Sequence, residues 1–325
     1  MIRAMNDDKA TIEILIADQW DDYALLDSGN LLKLERFGPY CFVRPEPQAM
    51  WKPRLDASHW QADGTFIASQ TSRRDGEDGD DGNDGKDGND GKGGGWKLRN
   101  GLPANWEIGY QSLRFRARPT PFRHLGFFPE QACHWDWCAA KIRDAIKAGT
   151  PASRPRILNL FAYSGIASLH AAEAGAEVTH VDASKKAITH AFENRDAAGL
   201  QDAPIRFITD DALRFVEREA RRGRRYDGII MDPPKYGRGP KGEIWRVEQD
   251  LVPLLSACRD LLSDTPLFML LTIYAIRASS QAAHYAMREV MTGGQVTSGE
   301  LAVAEAQANP RVISQANFAR WQPAS

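Results

Sequence analysis

The sequence predicts an α/β protein: a doubly wound sheet of seven strands with an antiparallel edge hairpin, preceded by a smaller β-rich domain. Three observations predict it. From about Pro151, short apolar runs alternate with helix-length amphipathic segments, the rhythm of a parallel sheet covered on both faces. Before that point the apolar runs are short and broken by Ser28-Gly29-Asn30 and Gly38-Pro39, as in strands joined by tight turns. The last stretch carries two strand patterns in succession, "GGQVTSGELAVAEA" and "RVISQANFARW", suited to an antiparallel hairpin on one edge.

The elements follow in order. Residues 1–130 read as a β-rich substrate-docking domain, with strands in "YALLDSGNLLKLERFGPYCFVRP", "GTFIAS", "WEIGYQ" and "LRFRARPT". In the last of these Leu113, Phe115 and Ala117 alternate with Arg114, Arg116 and Arg118. One face is therefore apolar and the other a solvated arginine face, or alternatively a surface for phosphates. Residues 131–325 read as the α/β domain. Its strands are "RILNLF", "AEVTHVDA", "IRFITD", "YDGIIMD" and "PLFMLLTI". Its helices are "GIASLHAAEAG", "SKKAITHAFENRDAAG", "DALRFVEREARR" and "VEQDLVPLLSACRDLL", with Ser184 capping one start and Gly175 and Gly199 just past two ends.

An insertion at about 74–95 interrupts the first domain. Glycine recurs at every third position from Gly76 to Gly94, without proline, so a collagen-type triple helix is not expected. No EF-hand loop fits its Asp and Asn spacing. The composition predicts a disordered, solvated hairpin insertion. Asp75 to Lys92 carries eight acidic residues and two lysines, and without it the formal net charge moves from −2 to +4. A mildly basic remainder is compatible with a polyanionic partner. Cys41, Cys133, Cys138 and Cys258 show neither a Cys-x-x-Cys pair nor zinc spacing, so free thiols, no metal and a cytoplasmic setting are expected. The polar N-terminus reads as no signal peptide, and no apolar run of membrane-spanning length is present.

Function is read at the strand ends, because a doubly wound sheet binds ligands outside the carboxyl ends of its strands. The first strand ends in "NLFAYSGIAS", where Ala162, Ser164 and Gly165 are small enough for close approach but too poor in glycine to cradle a pyrophosphate. The second ends at Asp182, 23 positions beyond Asn159, where a carboxylate can accept both hydroxyls of a ribose. The third ends at Asp210 and Asp211, suited to an exocyclic amine, and the fourth at Asp232-Pro233-Pro234. A ribose, an aminated base and no demand for phosphate binding fit S-adenosyl-L-methionine better than NAD.

"ILNLFAYSGIAS", "VDASKKAI", "TDDALRF" and "MDPPKYGRGPKGEIW" resemble the successive motifs of class I S-adenosylmethionine-dependent methyltransferases, which have a Rossmann-like fold. Over roughly residues 110–320 the chain is most similar to the bacterial large-subunit rRNA methyltransferase branch that includes cytosine-C5 and guanine-N7 enzymes. "HLGFFPEQ" resembles that branch's Gly-aromatic-aromatic-x-(Asp/Glu)-Gln element. The resemblance implies that Asn159, Phe161, Ala162, Tyr163, Ser164 and Gly165 line the methionine moiety, with Asn159 standing where the family usually has Asp. It implies that Asp182 and the adjoining Ala183 meet the ribose. It further implies that Asp211, between Asp210 and Ala212, meets the adenine amine, and that Gln131 approaches the cofactor's carboxylate end. Asp232, Pro233, Pro234 and Lys235 would border the methyl-acceptor pocket.

At that pocket the two prolines lack N–H groups, so their carbonyls are expected to be free acceptors at fixed φ. Lys235 stands where amine methyltransferases place a base-stacking aromatic, and Tyr236 comes one position later. Cytosine-C5 chemistry needs a thiolate, yet "LTIYAIRASS" contains no cysteine, and Cys258 reads as core packing. Tyr236, Arg238, Lys241 and Trp245 are candidates for substrate contact, Trp245 equally for packing. Arg218, Arg221, Arg222, Arg224 and Arg225 are either dipole-complementing residues of a helix end or an RNA surface. The reading is a methyltransferase acting on RNA, with rRNA as the expected substrate. The alternatives are a protein or small-molecule acceptor, or an inactive cofactor- or RNA-binding protein. The base, the atom and the oligomeric state stay open.

Overall fold

The computed structural model describes residues 11–68, 94–149, 154–274 and 278–324; most of the Asp/Gly-rich tract lies outside them. Eight strands make the main sheet. The first is β1 (Ile12–Ile16). The smaller sheet then comprises β2 (Tyr23–Gly29), β3 (Leu32–Phe37), β4 (Tyr40–Pro45), β5 (Gly64–Ala68) and β6 (Gly94–Leu98), in that spatial order. The strands bracketing the tract, β5 and β6, pair antiparallel from Gly64↔Leu98 to Ala68↔Gly94. A separate hairpin follows, β7 (Trp106–Tyr110) with β8 (Leu113–Ala117). In β8 burial alternates as the sequence predicts, and Arg118 pairs with Glu193 while Arg116 bonds Asn105. That is a solvated, partly paired arginine face.

The α/β part runs α1 (Ala132–Ala148), β9 (Arg156–Leu160), α2 (Ile166–Glu173), β10 (Glu177–Asp182), α3 (Lys185–Ala197), β11 (Ile205–Thr209) and α4 (Ala212–Arg221). It continues β12 (Gly228–Met231), β13 (Tyr236–Arg238), β14 (Ile244–Arg246), α5 (Val247–Arg259), β15 (Phe268–Ile273), α6 (Ser280–Val290), β16 (Gln295–Ala304) and β17 (Val312–Gln322). The sheet order is β11-β10-β9-β12-β15-β17-β16-β1, with β17 antiparallel to both its neighbours. All five predicted parallel strands and all four predicted helices are present, with Ser184 as an N-cap accepting from the Ala187 amide at 3.3 Å.

Two expectations are corrected. The C-terminal hairpin is not at the edge, because β1 pairs in parallel with β16 from Ile12↔Ser298 to Ile16↔Ala302. The seven expected strands therefore gain an eighth from the opposite end of the chain. The boundary at 130 also does not separate two cores. Trp20, Phe37, Phe42, Trp106 and Phe127 share one buried cluster with Trp135, Ile166, Val303 and Ile313. Its rings meet mainly edge-on or tilted, as with Trp20 against Trp135 at 5.9 Å, contacts each worth about 0.5–1.5 kcal/mol beyond burial. Polar ties cross the same seam: Ser28 Oγ donates to Glu305 at 2.6 Å, and Lys33 Nζ to Gln315 at 2.7 Å. This seam holds the smaller sheet against the carboxyl ends of the central strands.

Candidate active site

A cavity of about 970 Å³ opens at the carboxyl ends of β9 to β12 and is bordered on the other side by Lys33 and Arg44 of the smaller sheet and by Glu46 just after β4. Its floor is the turn after β9. Phe161 (φ 52°) and Tyr163 (φ 44°) both take left-handed backbone conformations, each costing about 1–3 kcal/mol outside glycine. The Ala162 amide donates to the Val181 carbonyl and the Tyr163 amide to Asp182 Oδ2, at 3.1 and 2.8 Å. Gly165 follows at φ 85°, and a Cβ there would stand 3.0 Å from that of Ala191, so the turn requires glycine.

Asp182 sits at the end of β10 with both oxygens engaged, Oδ2 by the Tyr163 amide and Oδ1 by the Ser184 amide at 2.8 Å. Each oxygen is thus fixed by a backbone amide, which orients the carboxylate on the cavity it lines. Asp211 caps α4, accepting from the Arg214 amide at 3.0 Å. Burial and nearby Glu243 raise its pKa, against that amide. Asp210 is committed differently, because its carboxylate is gripped by Arg214 and Arg218. Burial works against its charge, but these hydrogen bonds outweigh it and hold the pKa low. The expected amine acceptor at Asp210 is thus already spent in ion pairs.

Asp232 ends β12 on the same cavity, half-buried, and accepts from Gln131 Nε2 at 3.1 Å. Burial, with Glu130 beside it, pushes its pKa up to about 8 despite the Gln131 hydrogen bond. Glu130 is itself raised by burial, against Lys33, the Tyr274 hydroxyl that donates to it at 2.9 Å, and Arg44. Burial therefore disfavours charge on both acids, and Asp232 favours holding its proton up to about pH 8. The expectation of two free proline carbonyls is half corrected. Trp245 Nε1 donates to the Pro234 carbonyl at 2.7 Å. Its ring is buried against Phe161 at 5.0 Å. Trp245 is therefore a packing residue that braces the Asp-Pro-Pro segment.

The cavity gathers Phe161, Tyr163, Asp182, Ala183, Asp210, Asp211, Ala212, Asp232, Pro233, Pro234, Lys235, Tyr236, Arg238 and Trp245. It does not gather Gln131, Asn159, Ala162, Ser164, Gly165 or Lys241. Gln131 acts through Asp232. Asn159 faces inward, donating to Ser168 Oγ at 2.9 Å, with His180 Nδ1 3.1 Å beyond. Ser164 is buried, and its carbonyl accepts from Asn194 at 2.8 Å. Arg221, Arg224 and Arg225 are exposed at the far end of α4. Ten residues of helix separate that end from Asp211, about 15 Å. Sequence reasoning passed over Glu130, Phe128 and Tyr274, all on the cavity wall. Phe128 and Glu130 lay inside a recognised motif; Lys33 and Arg44 are buried charged residues of β3 and β4, far in sequence from every motif.

Against known proteins, the family described as Conserved hypothetical protein 95 matches residues 136–244. A crystal structure of a SAM-dependent methyltransferase from Agrobacterium tumefaciens is 44% identical, covers 96% of this chain and 94% of its own, and superposes with a TM-score of 0.84. The chain belongs to the SAM-dependent methyltransferases. "Ribosomal RNA large subunit methyltransferase K/L" of Shewanella sp. (strain W3-18-1) is 40% identical over 119 residues, 36% of this chain and 16% of that protein. "Ribosomal RNA large subunit methyltransferase I" of Aeromonas salmonicida is 32% identical over 118 residues, 36% and 26%. This chain thus spans about a sixth to a quarter of these curated relatives. The structure SMU.776, complexed with SAH, is 14% identical over 94% of this chain and 76% of its own, with a TM-score of 0.66, and shares the fold.

The residues present fit the family's cofactor. S-adenosylmethionine is the methyl donor of this enzyme class, and a carboxylate pre-aimed by two backbone amides, with a second at the next strand end, is a set of acceptors for the hydroxyls and amine of its nucleoside. Among the described residues no cluster of His, Cys, Asp or Glu could hold a metal ion, and no helix is long and apolar enough to cross a membrane.

Proposed function

We propose that this methyltransferase acts on RNA, with a base of ribosomal RNA as the acceptor, in the cytoplasm. One observation carries the reading: Asp232, held by Gln131, shares a single cavity with Asp182, and that cavity has room for a nucleoside cofactor and a second planar ring. The names of the curated relatives support the ribosomal substrate. Lys235 and Arg238 at the cavity mouth suit a phosphate backbone. The smaller β sheet serves as the docking module.

S-adenosylmethionine supplies a sulfonium-activated methyl group. Asp182, with Asp211, orients the nucleoside. Asp232 and the Pro233 carbonyl face the acceptor; with a pKa near 8, Asp232 acts as base in its deprotonated form, so removal of the proton from an attacking nitrogen rises as pH passes through about 8. Cys258 is fully buried in the core with its thiol pKa raised by burial, so no thiolate is at hand for attack on a pyrimidine carbon. Mass-spectrometric mapping of rRNA modifications with and without the gene tests the proposal. A missing base methyl supports it and names the atom, and an unchanged map refutes it.

A further inference from the structure

The residue after the two prolines is Lys235, and the nearest indole in the chain, Trp245, is already spent on the Pro234 carbonyl. A planar acceptor still needs a ring to lie against. The cavity that Asp232 lines also carries two half-buried aromatic rings, Phe128 and Tyr274, with centroids 5.1 Å apart and planes tilted by 42°. Both are tied to the acceptor carboxylate. The Tyr274 hydroxyl donates to Glu130, and the next residue, Gln131, donates to Asp232. Phe128 opens the same short 3-10 turn, Pro129–Gln131. The rings are thus linked, through one short turn and two hydrogen bonds, to the group that faces the cavity at Asp232.

We propose that Phe128 and Tyr274 form the stacking platform for the acceptor base, taking the part that an aromatic following Asp-Pro-Pro would otherwise play. The inference rests on the RNA reading above. Partly exposed rings in a cavity wall leave apolar area uncovered, and a stacked base covers it irrespective of its hydrogen-bonding edge. Phe128 and Tyr274 are positioning residues, while the proton transfer stays with Asp232. The tether through Glu130 keeps the platform in register with Asp232.

The test uses the full chain, ribosomal RNA from a strain lacking the gene, and labelled cofactor. Phe128→Leu keeps apolar volume and removes the ring. It should raise the acceptor KM and lower kcat/KM by about ten- to a hundredfold, the range of base–aromatic stacking. Affinity for S-adenosylhomocysteine, read by calorimetry, should stay within about twofold and also reports correct folding. Phe128→Tyr should restore activity, and Tyr274→Phe should keep the acceptor KM that Tyr274→Leu loses. The platform is overturned if Phe128→Leu weakens the cofactor product instead of the acceptor. It is equally overturned if Phe128→Leu leaves both unchanged while Tyr236→Leu raises the acceptor KM. Wild-type protein that binds S-adenosylhomocysteine yet methylates no RNA removes the RNA reading itself, and the platform with it.

Discussion

Gln131 Nε2 donates to Asp232 Oδ2 at 3.1 Å, joining the segment that precedes α1 to the end of β12 across 101 residues of sequence. The bond turns the carboxylate toward the cavity. Burial, together with the neighbouring Glu130, raises the pKa of that carboxylate to about 8.

The pH dependence of stability follows from the sign of that shift. A carboxyl whose folded pKa lies above its unfolded value contributes stability that is complete below the unfolded pKa, near 4, and lost as pH rises through the folded one, about 8. Wild-type protein should therefore lose melting temperature between pH 4 and 8 relative to Asp232→Asn, which does not titrate there. Parallel curves in thermal melts across that window would show that Asp232 titrates normally.

Binding and turnover should separate between the two strand-end acids. Asp182→Ala removes the acceptor of the Tyr163 and Ser184 amides as well as the proposed ribose partner. It should weaken S-adenosylhomocysteine by at least about tenfold, the loss of one charge-assisted hydrogen bond. Asp232→Ala should leave that affinity nearly unchanged and abolish methyl transfer. Calorimetry and a methyl-transfer assay on the same preparations decide it, and equal loss of binding in both variants would refute the division.

Asp210 and Asp211 are adjacent in sequence and should respond differently. Asp210→Ala removes the carboxylate that Arg218 grips and leaves Arg214 with Glu243 as its remaining ion-pair partner, both arginines being about a third exposed, so a stability loss of about 1 kcal/mol is expected. Asp211→Ala removes an N-cap and should cost about 1 kcal/mol, while lowering cofactor affinity. Denaturant melts combined with calorimetry test the pair. A larger affinity loss for Asp210→Ala would reverse the assignment.

Charge reversal should matter at the cavity mouth and not at the far end of α4. Arg221→Glu, Arg224→Glu and Arg225→Glu together should change kcat/KM on RNA by less than about twofold at 0.15 M salt, where charges beyond about 8 Å are screened. Lys235→Glu should raise the RNA KM severalfold. A strong effect of the arginine triple would place the RNA on the opposite surface.

Much of this protein was legible in its residues. Alternating apolar runs and helix-length segments announced the parallel strands, since burial on both faces leaves a mark at short range. Four strand ends in register marked Asp182, Asp211 and Asp232, because side-chain type at a strand end needs no partner to be read. What sequence could not show depends on pairing between distant segments. That β1 completes the sheet beside β16 is a backbone hydrogen-bond fact, and an edge strand's composition does not name its neighbour. That Asp210 belongs to Arg214 and Arg218, Asn159 to Ser168, and the Pro234 carbonyl to Trp245 was decided only when helices and hairpin folded over the strand ends. Glu130 and Tyr274 meet across 144 residues. The effect of Glu130 on Asp232 exists only where burial removes water from both at once, which no local pattern records.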